Sequence, residues 1–195
     1  MKLISVFLLG TFLATTLNAQ GLLSEEDQIT SAVQAAPASE RDGATVIGYN
    51  SKKEYAILRK GKGNLVCLAN NPDSKSFSVA CYHKDLDPFM ARGRALKLLG
   101  KNTNQIEMIR EAEAKSGVLK MPKHPSALYV LYGANANYDV ATKKVINGNL
   151  RYVVYIPWAT AASTGLPLSP YEPGGPWLMF PGTYKAHIMI TPPSQ

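Results

Sequence analysis

Ser163 lies in the run Ala161-Ala-Ser-Thr-Gly165, which has the small-x-Ser-x-Gly outline of a nucleophile elbow. Such an elbow aims hydrogen-bond donors at a developing oxyanion through the helix that follows it. The next residues, Leu166-Pro-Leu-Ser-Pro170, do not supply that helix. A hydrolase pairing Ser163 with His187 is therefore an alternative that requires the two side chains to meet within hydrogen-bonding distance. The three histidines, His83, His124 and His187, show no close metal-ligand spacing. The period of a strand puts His187 and Met189 on one face, and the preceding turn brings Met179 toward them. An imidazole with thioether sulfurs suits monovalent copper better than zinc, so a copper-handling site of His187, Met189 and Met179 is a second alternative. Against it stands ordinary packing, with the methionines filling core gaps and the histidine bonded to backbone. No other cofactor is expected. Glu107, Glu111 and Glu113 share one helix and do not pair across a cleft for acid/base work. Ten tyrosines and two tryptophans, among them Tyr152, Tyr155, Trp158, Tyr171 and Trp177, offer either sheet packing or a stacking surface for sugars and other ring-bearing ligands.

The elements that position these residues follow from periodicity and turn chemistry. Ser24 before Glu25, Glu26 and Asp27 predicts a capped helix whose face of Ile29, Ala32, Val33 and Ala36 ends at Pro37. Short β-branched and aromatic runs follow at 45–49, 55–59, 65–69 and 77–82, separated by Asn-, Gly- and Pro-rich turns, which predicts an antiparallel meander. Asp85 or Asp87 before Pro88 opens a second helix, with Phe89, Leu96 and Leu99 inward and Arg94, Lys97 and Lys101 on another face. A third helix is expected to open at Asn104 with Glu107 closing a capping box, to pair Glu111 with Lys115, and to end at Gly117. A second β region spans 127–132, 150–156 and 187–190, and Asn147-Gly148 predicts a hairpin pairing 143–146 with 150–153. The Pro- and Gly-rich residues 158–184 read as an ordered loop over the sheet, anchored by Trp177, Leu178, Met179 and Phe180.

The opening residues set the compartment. Lys2, an apolar run over 3–17 and a small residue at Ala19 predict a signal peptide over residues 1–19, too short to serve as a transmembrane anchor, which needs about 20 apolar residues. Residues 20–195 then suit one domain, destined for the periplasm or the medium. There the two cysteines, Cys67 and Cys81, are expected to join, tying two neighbouring strands; a redox pair or thiolate metal site lacks the C-x-x-C spacing. The net charge of +7 favours anionic partners, which in an exported protein means envelope polymers or lipid head groups and not nucleic acid. Its densest stretch, Lys52, Lys53, Arg59, Lys60 and Lys62, reads as a solvated sheet edge.

Taken together, Ala36-Pro37, Arg41-Asp-Gly-Ala-Thr-Val46, Leu58-Arg-Lys-Gly61, Cys67, Cys81 and the closing Gly175-Pro-Trp-Leu-Met-Phe-Pro-Gly-Thr-Tyr-Lys-Ala-His-Ile-Met189 resemble a group of exported bacterial proteins with no assigned activity. The resemblance covers most of the chain after the leader and implies a shared fold and export, but transfers no catalytic residue. In that group the end motif tends toward Met-x-x-Gly-Thr-Pro-x-Ala-His-x-Met, and here Tyr184 stands where proline is usual. The expectation is thus a single α+β domain, an antiparallel sheet flanked by about three helices. Functionally it is expected to be a non-catalytic exported module for an envelope component or small ligand, with Trp158, Tyr171, Trp177, Tyr184 and His187 as candidate contacts.

Overall fold

Ser24 caps the first helix as its sequence dictates: its hydroxyl accepts from the Asp27 N–H at 3.1 Å, and three acids occupy the first turn of α1 (Glu25–Ala32). The helix tightens into a 3-10 turn over Val33–Ala35 before Pro37, and this stretch buries Ala32, Val33, Ala35 and Ala36. This computed structural model describes residues 22–193, so the signal-peptide expectation lies outside the described residues.

The chain forms a single α+β domain around a mixed eight-stranded sheet. The strands are β1 (Thr45–Tyr49), β2 (Tyr55–Arg59), β3 (Leu65–Leu68), β4 (Phe77–His83), β5 (Ser126–Gly133), β6 (Asn137–Asp139), β7 (Lys144–Ile146), β8 (Asn149–Tyr155), β9 (Trp177–Met179) and β10 (His187–Ile190). The order across the sheet is β2-β1-β3-β4-β5-β8-β10-β9, and β6 with β7 makes a separate hairpin. The strand positions match the sequence pattern closely, but two pairings do not.

First, the leading four strands are not a simple meander, because β3 pairs in parallel with β1 on the side away from β2. The connection is held against the start of β1 by Gly63 N–H to Gly43 O at 2.8 Å and Gly61 N–H to Thr45 Oγ1 at 3.0 Å. A Cβ on Gly61 would lie 2.1 Å from the Gly43 oxygen, so only glycine lets the two backbones approach this closely and turns the chain across β1. This leaves β2 at the edge, flanked by exposed Lys52, Lys53, Lys60 and Lys62. Second, residues 143–146 pair with β6 and not with 150–153. A two-residue type I′ turn needs positive φ at both central residues; Asn147 has φ +55°, but Gly148 is not in that region. Gly148 instead serves close approach, since a Cβ there would come 2.7 Å from Leu131 Cδ1.

Alternation along the strands divides the core into two layers. Val46, Cys67, Phe77, Val79, Cys81 and Leu131 face α1, its 3-10 extension and the β6–β7 hairpin. On the other face one row of directly opposed residues, Val66, Tyr82, Leu128, Val153, Met189 and Trp177, crosses six strands. That face is covered by α2 (Asp87–Leu98) and α3 (Thr103–Lys115). Phe89 and Leu96 point inward as expected, but Leu99 follows the last turn and is 69% exposed. Arg94, expected on a different face from Phe89 and Leu96, turns inward: its Nη1 donates to the Tyr82 hydroxyl at 2.8 Å, and that hydroxyl donates to Asp87 Oδ1 at 2.7 Å. The capping box of α3 uses Asn102 with Gln105, two residues earlier than Asn104 with Glu107, which frees Glu107 for a tertiary role. Arg92 clamps α2 to α3 through a forked pair with Glu113, with Nε 2.9 Å from Oε2. Cys67 and Cys81 are directly opposite on β3 and β4 and are joined by a disulfide with no solvent exposure.

Candidate functional site

The sheet ends at β9 and β10, and the segment that leads there is pinned to the end of β8. The Trp158 N–H donates to Thr183 O at 2.8 Å, the Gly182 N–H to Ala159 O at 2.7 Å, and the Thr183 hydroxyl to Phe180 O at 2.8 Å. These bonds hold the turn Phe180-Pro-Gly-Thr183 beside Trp158. Both aromatic residues adopt left-handed backbone, Trp158 at φ +68° and Phe180 at φ +54°. Bulky side chains avoid that region, and the surrounding bonds must offset a cost of about 1–3 kcal/mol per residue. Both rings remain accessible, Trp158 at 45% and Phe180 at 40%, while Tyr171 on the same segment is 90% exposed. Lys185 Nζ sits 4.1 Å from the centre of the Phe180 ring, so a cation lies against one face of this aromatic surface. Trp177 is half-buried on the edge strand β9, part of a segment read from sequence as loop alone.

The other two expected contacts lie underneath. Tyr184 is 1% exposed, and its hydroxyl donates to Glu107 Oε2 at 3.0 Å, so it supports the surface and does not face a ligand. Glu107 also accepts from Lys185 Nζ and from Arg110 Nη2, the latter at 2.6 Å. Burial raises the Glu107 carboxyl, but the Lys185 hydrogen bond, the Arg110 charge and the Tyr184 hydroxyl outweigh it and hold the group below its ordinary value. Arg110 in turn lies over the Phe89 ring at 4.2 Å. This cluster fastens α3 to the approach of β10. From sequence Phe180 was read only as an apolar anchor of the loop and Glu107 only as a helix cap and an unpaired carboxylate; Lys185 and Arg110 were not singled out, and no local signal marked them.

His187 is 6% exposed, with its ring between Tyr155, 5.0 Å away centre to centre, and Phe180, 5.8 Å away. Its Nδ1 lies 2.8 Å from Lys185 O, a contact made by the Nδ1–H tautomer, which leaves the Nε2 lone pair unprotonated. Burial lowers its pKa, favouring that neutral form. Met179 is directly opposite His187 across β9 and β10, and Met189 is two residues along on the same face, so the trio shares one side of the sheet. Among the described residues, no group of three or more His, Cys, Asp or Glu is arranged to hold a metal ion. His83 accepts from the Asp85 N–H at 3.3 Å, and His124 is exposed.

Ser163 does not meet His187. It lies in α4 (Ala161–Thr164), where its hydroxyl accepts from the Thr160 N–H at 2.9 Å and donates to Thr160 O at 3.1 Å. The residue in the elbow-like run is thus the closing half of a capping box. No helix among the described residues is long and apolar enough to cross a membrane, and the disulfide is consistent with an oxidising compartment. No protein-family model, curated protein or solved structure matches the chain.

Proposed function

We propose that the chain is an exported, non-catalytic binding module that takes a ring-bearing ligand, a glycan of the cell envelope, on the aromatic surface of residues 158–184. The observation that supports this reading is the pair Trp158 and Phe180, two large residues held half-exposed in strained left-handed backbone. A turn needing positive φ is built more cheaply with glycine, so retaining rings there points to a use for the rings. Trp158 and Tyr171 supply stacking faces, and Phe180, with Lys185 held against its ring, extends them.

Titration of Trp emission with a soluble N-acetylglucosamine oligomer tests it. A spectral shift with saturable affinity is expected, and Trp158→Gly should weaken binding at least ~10-fold, about 1.4 kcal/mol. The same variant should unfold at an unchanged or higher temperature, because glycine removes the backbone strain. No saturable response across neutral and acidic glycans, or full affinity in a Trp158→Gly, Tyr171→Ala double variant, rejects the proposal.

The placement of His187, Met179 and Met189 on one face, with Nε2 unprotonated, favours a second reading in which this trio holds monovalent copper. Competition against a Cu(I) chelator is expected to show retention by the native protein and a loss of at least ~10-fold in His187→Ala and in Met179→Leu. Equal copper retention by His187→Ala and the parent chain removes this reading.

A further inference from the structure

At the opposite end of the sheet, α1 and its 3-10 extension, β2 and β7 enclose a groove of about 570 Å³. That volume falls in the range of small-molecule sites, roughly 300–1,000 Å³. Its floor is apolar, made by Ile29, Val33 and Val145, and its rim carries Arg41, Arg59, Lys143 and Lys144. One wall is fixed by Gln34, whose Nε2 donates to Lys143 O at 3.1 Å and whose Oε1 accepts from the Val145 N–H at 2.9 Å.

The two arginines are held by backbone carbonyls and not by acids. Arg41 donates from Nε to Ala36 O and from Nη2 to Gln34 O, while Arg59 donates from Nε to Ala44 O and from Nη2 to Arg41 O. Among the described residues neither guanidinium has a carboxylate partner, and Nη1 of each has no protein acceptor. Arg92, Arg94 and Arg110 differ in this respect, each being paired with an acid. Of the remaining rim charges, Lys143 is engaged by Asp27 at 2.7 Å, whereas among the described residues Lys144 makes no ion pair and Asp42 is the only acid lining the groove. The rim therefore presents oriented N–H donors and an excess of positive charge over an apolar floor. A planar guanidinium with free donors is matched to a carboxylate or phosphate oxygen.

We propose that this groove is a binding site for a small oxyanion, a carboxylate or phosphate group carried on a compact apolar body. It is separate from the aromatic surface and stands or falls independently of it.

Amide NMR titration of the ¹⁵N-labelled protein with hexyl phosphate, hexanoate, inorganic phosphate and hexylammonium tests the assignment. Shifts centred on Gln34, Arg41, Arg59 and residues 143–145 are expected for both hexyl anions, and which of them binds tighter identifies the head group. Inorganic phosphate should bind at least ~5-fold more weakly than hexyl phosphate, and hexylammonium should not perturb these residues. Lys144→Glu, at an exposed position, should weaken the anions ~10-fold, and Arg41→Lys should weaken them while leaving the net charge unchanged. Raising the salt concentration should weaken binding in step. Shifts of equal size with hexylammonium, no shifts in the groove with either hexyl anion, or full affinity in Lys144→Glu overturns the proposal.

Discussion

Replacing Cys67 and Cys81 together with alanine is expected to lower the unfolding free energy by about 3 kcal/mol, the chain-entropy value for a loop of ~15 residues. For a domain of this size that is a fall of roughly 6–12 °C in the unfolding midpoint. The two residues are directly opposed across β3 and β4 and lie within the layer formed by Val46, Phe77, Val79 and Leu131. Ladder pairing holds these strands together in the native state with or without the bond, so the effect falls chiefly on the unfolded chain. Equilibrium urea unfolding of the double variant should show a lower midpoint with the antiparallel β3–β4 pairing retained. Because both sulfurs are shielded from solvent, a thiol reductant should open the bond in native buffer only as fast as the protein itself opens. Rapid reduction under native conditions, or a double variant as stable as the parent, would contradict this account.

Glu107→Ala should cost about 2–3 kcal/mol, because one substitution removes the acceptor of three donors at a partly buried junction. Lys185 and Arg110 are left facing each other without their shared anion, and the Tyr184 hydroxyl, under a ring that is almost fully enclosed, loses its carboxylate. The carboxyl is held below its ordinary value of 4.5, so its contribution is fully present above that pH and is lost as the pH falls through the lower folded value. The stability gap between parent and Glu107→Ala should therefore be wide at neutral pH and shrink in strong acid. A gap that stays constant with pH would show that side-chain packing, and not the charge, accounts for the loss. Glu107→Gln, which keeps the shape and one acceptor oxygen, should recover part of the difference.

Much of the strand pattern was legible in the residues themselves, because β-branched and aromatic runs between Asn, Gly and Pro turns define where a strand can lie. Residues 45–49, 55–59 and 187–190 form strands at the expected boundaries. Partner choice was not legible, since it depends on contacts that local pattern does not encode. The parallel β1–β3 pair follows from the close backbone approach at Gly61, and the β6–β7 hairpin is turned by Asp139, which accepts from the Ala141 N–H and the Thr142 hydroxyl, and by Lys143 at positive φ. The same distinction holds at the candidate site. Period-two alternation placed His187 and Met189 on one face, and the turn expected to bring Met179 toward them sets it opposite His187 on β9. Glu107, by contrast, reaches Lys185 and Tyr184 across 78 and 77 residues of chain, which nothing in either neighbourhood announces. Tyr184 was expected at the ligand surface because it lies in an aromatic-rich segment, but its tethered hydroxyl draws it inside. Arg94 turned inward for a similar reason, drawn by the hydroxyl of Tyr82.

The strand bearing His187 is the last among the described residues, yet it is inserted between β8 and β9 and not added at the rim. A polypeptide emerging from its N-terminal end, from a ribosome or a narrow pore, can assemble the sheet only as far as β8. The edge strand β9 then has no partner until the final strand slots in and recruits it on its outer side. That rim of the sheet is consequently completed only once the last described strand has been made, and it is a feature of the finished molecule alone.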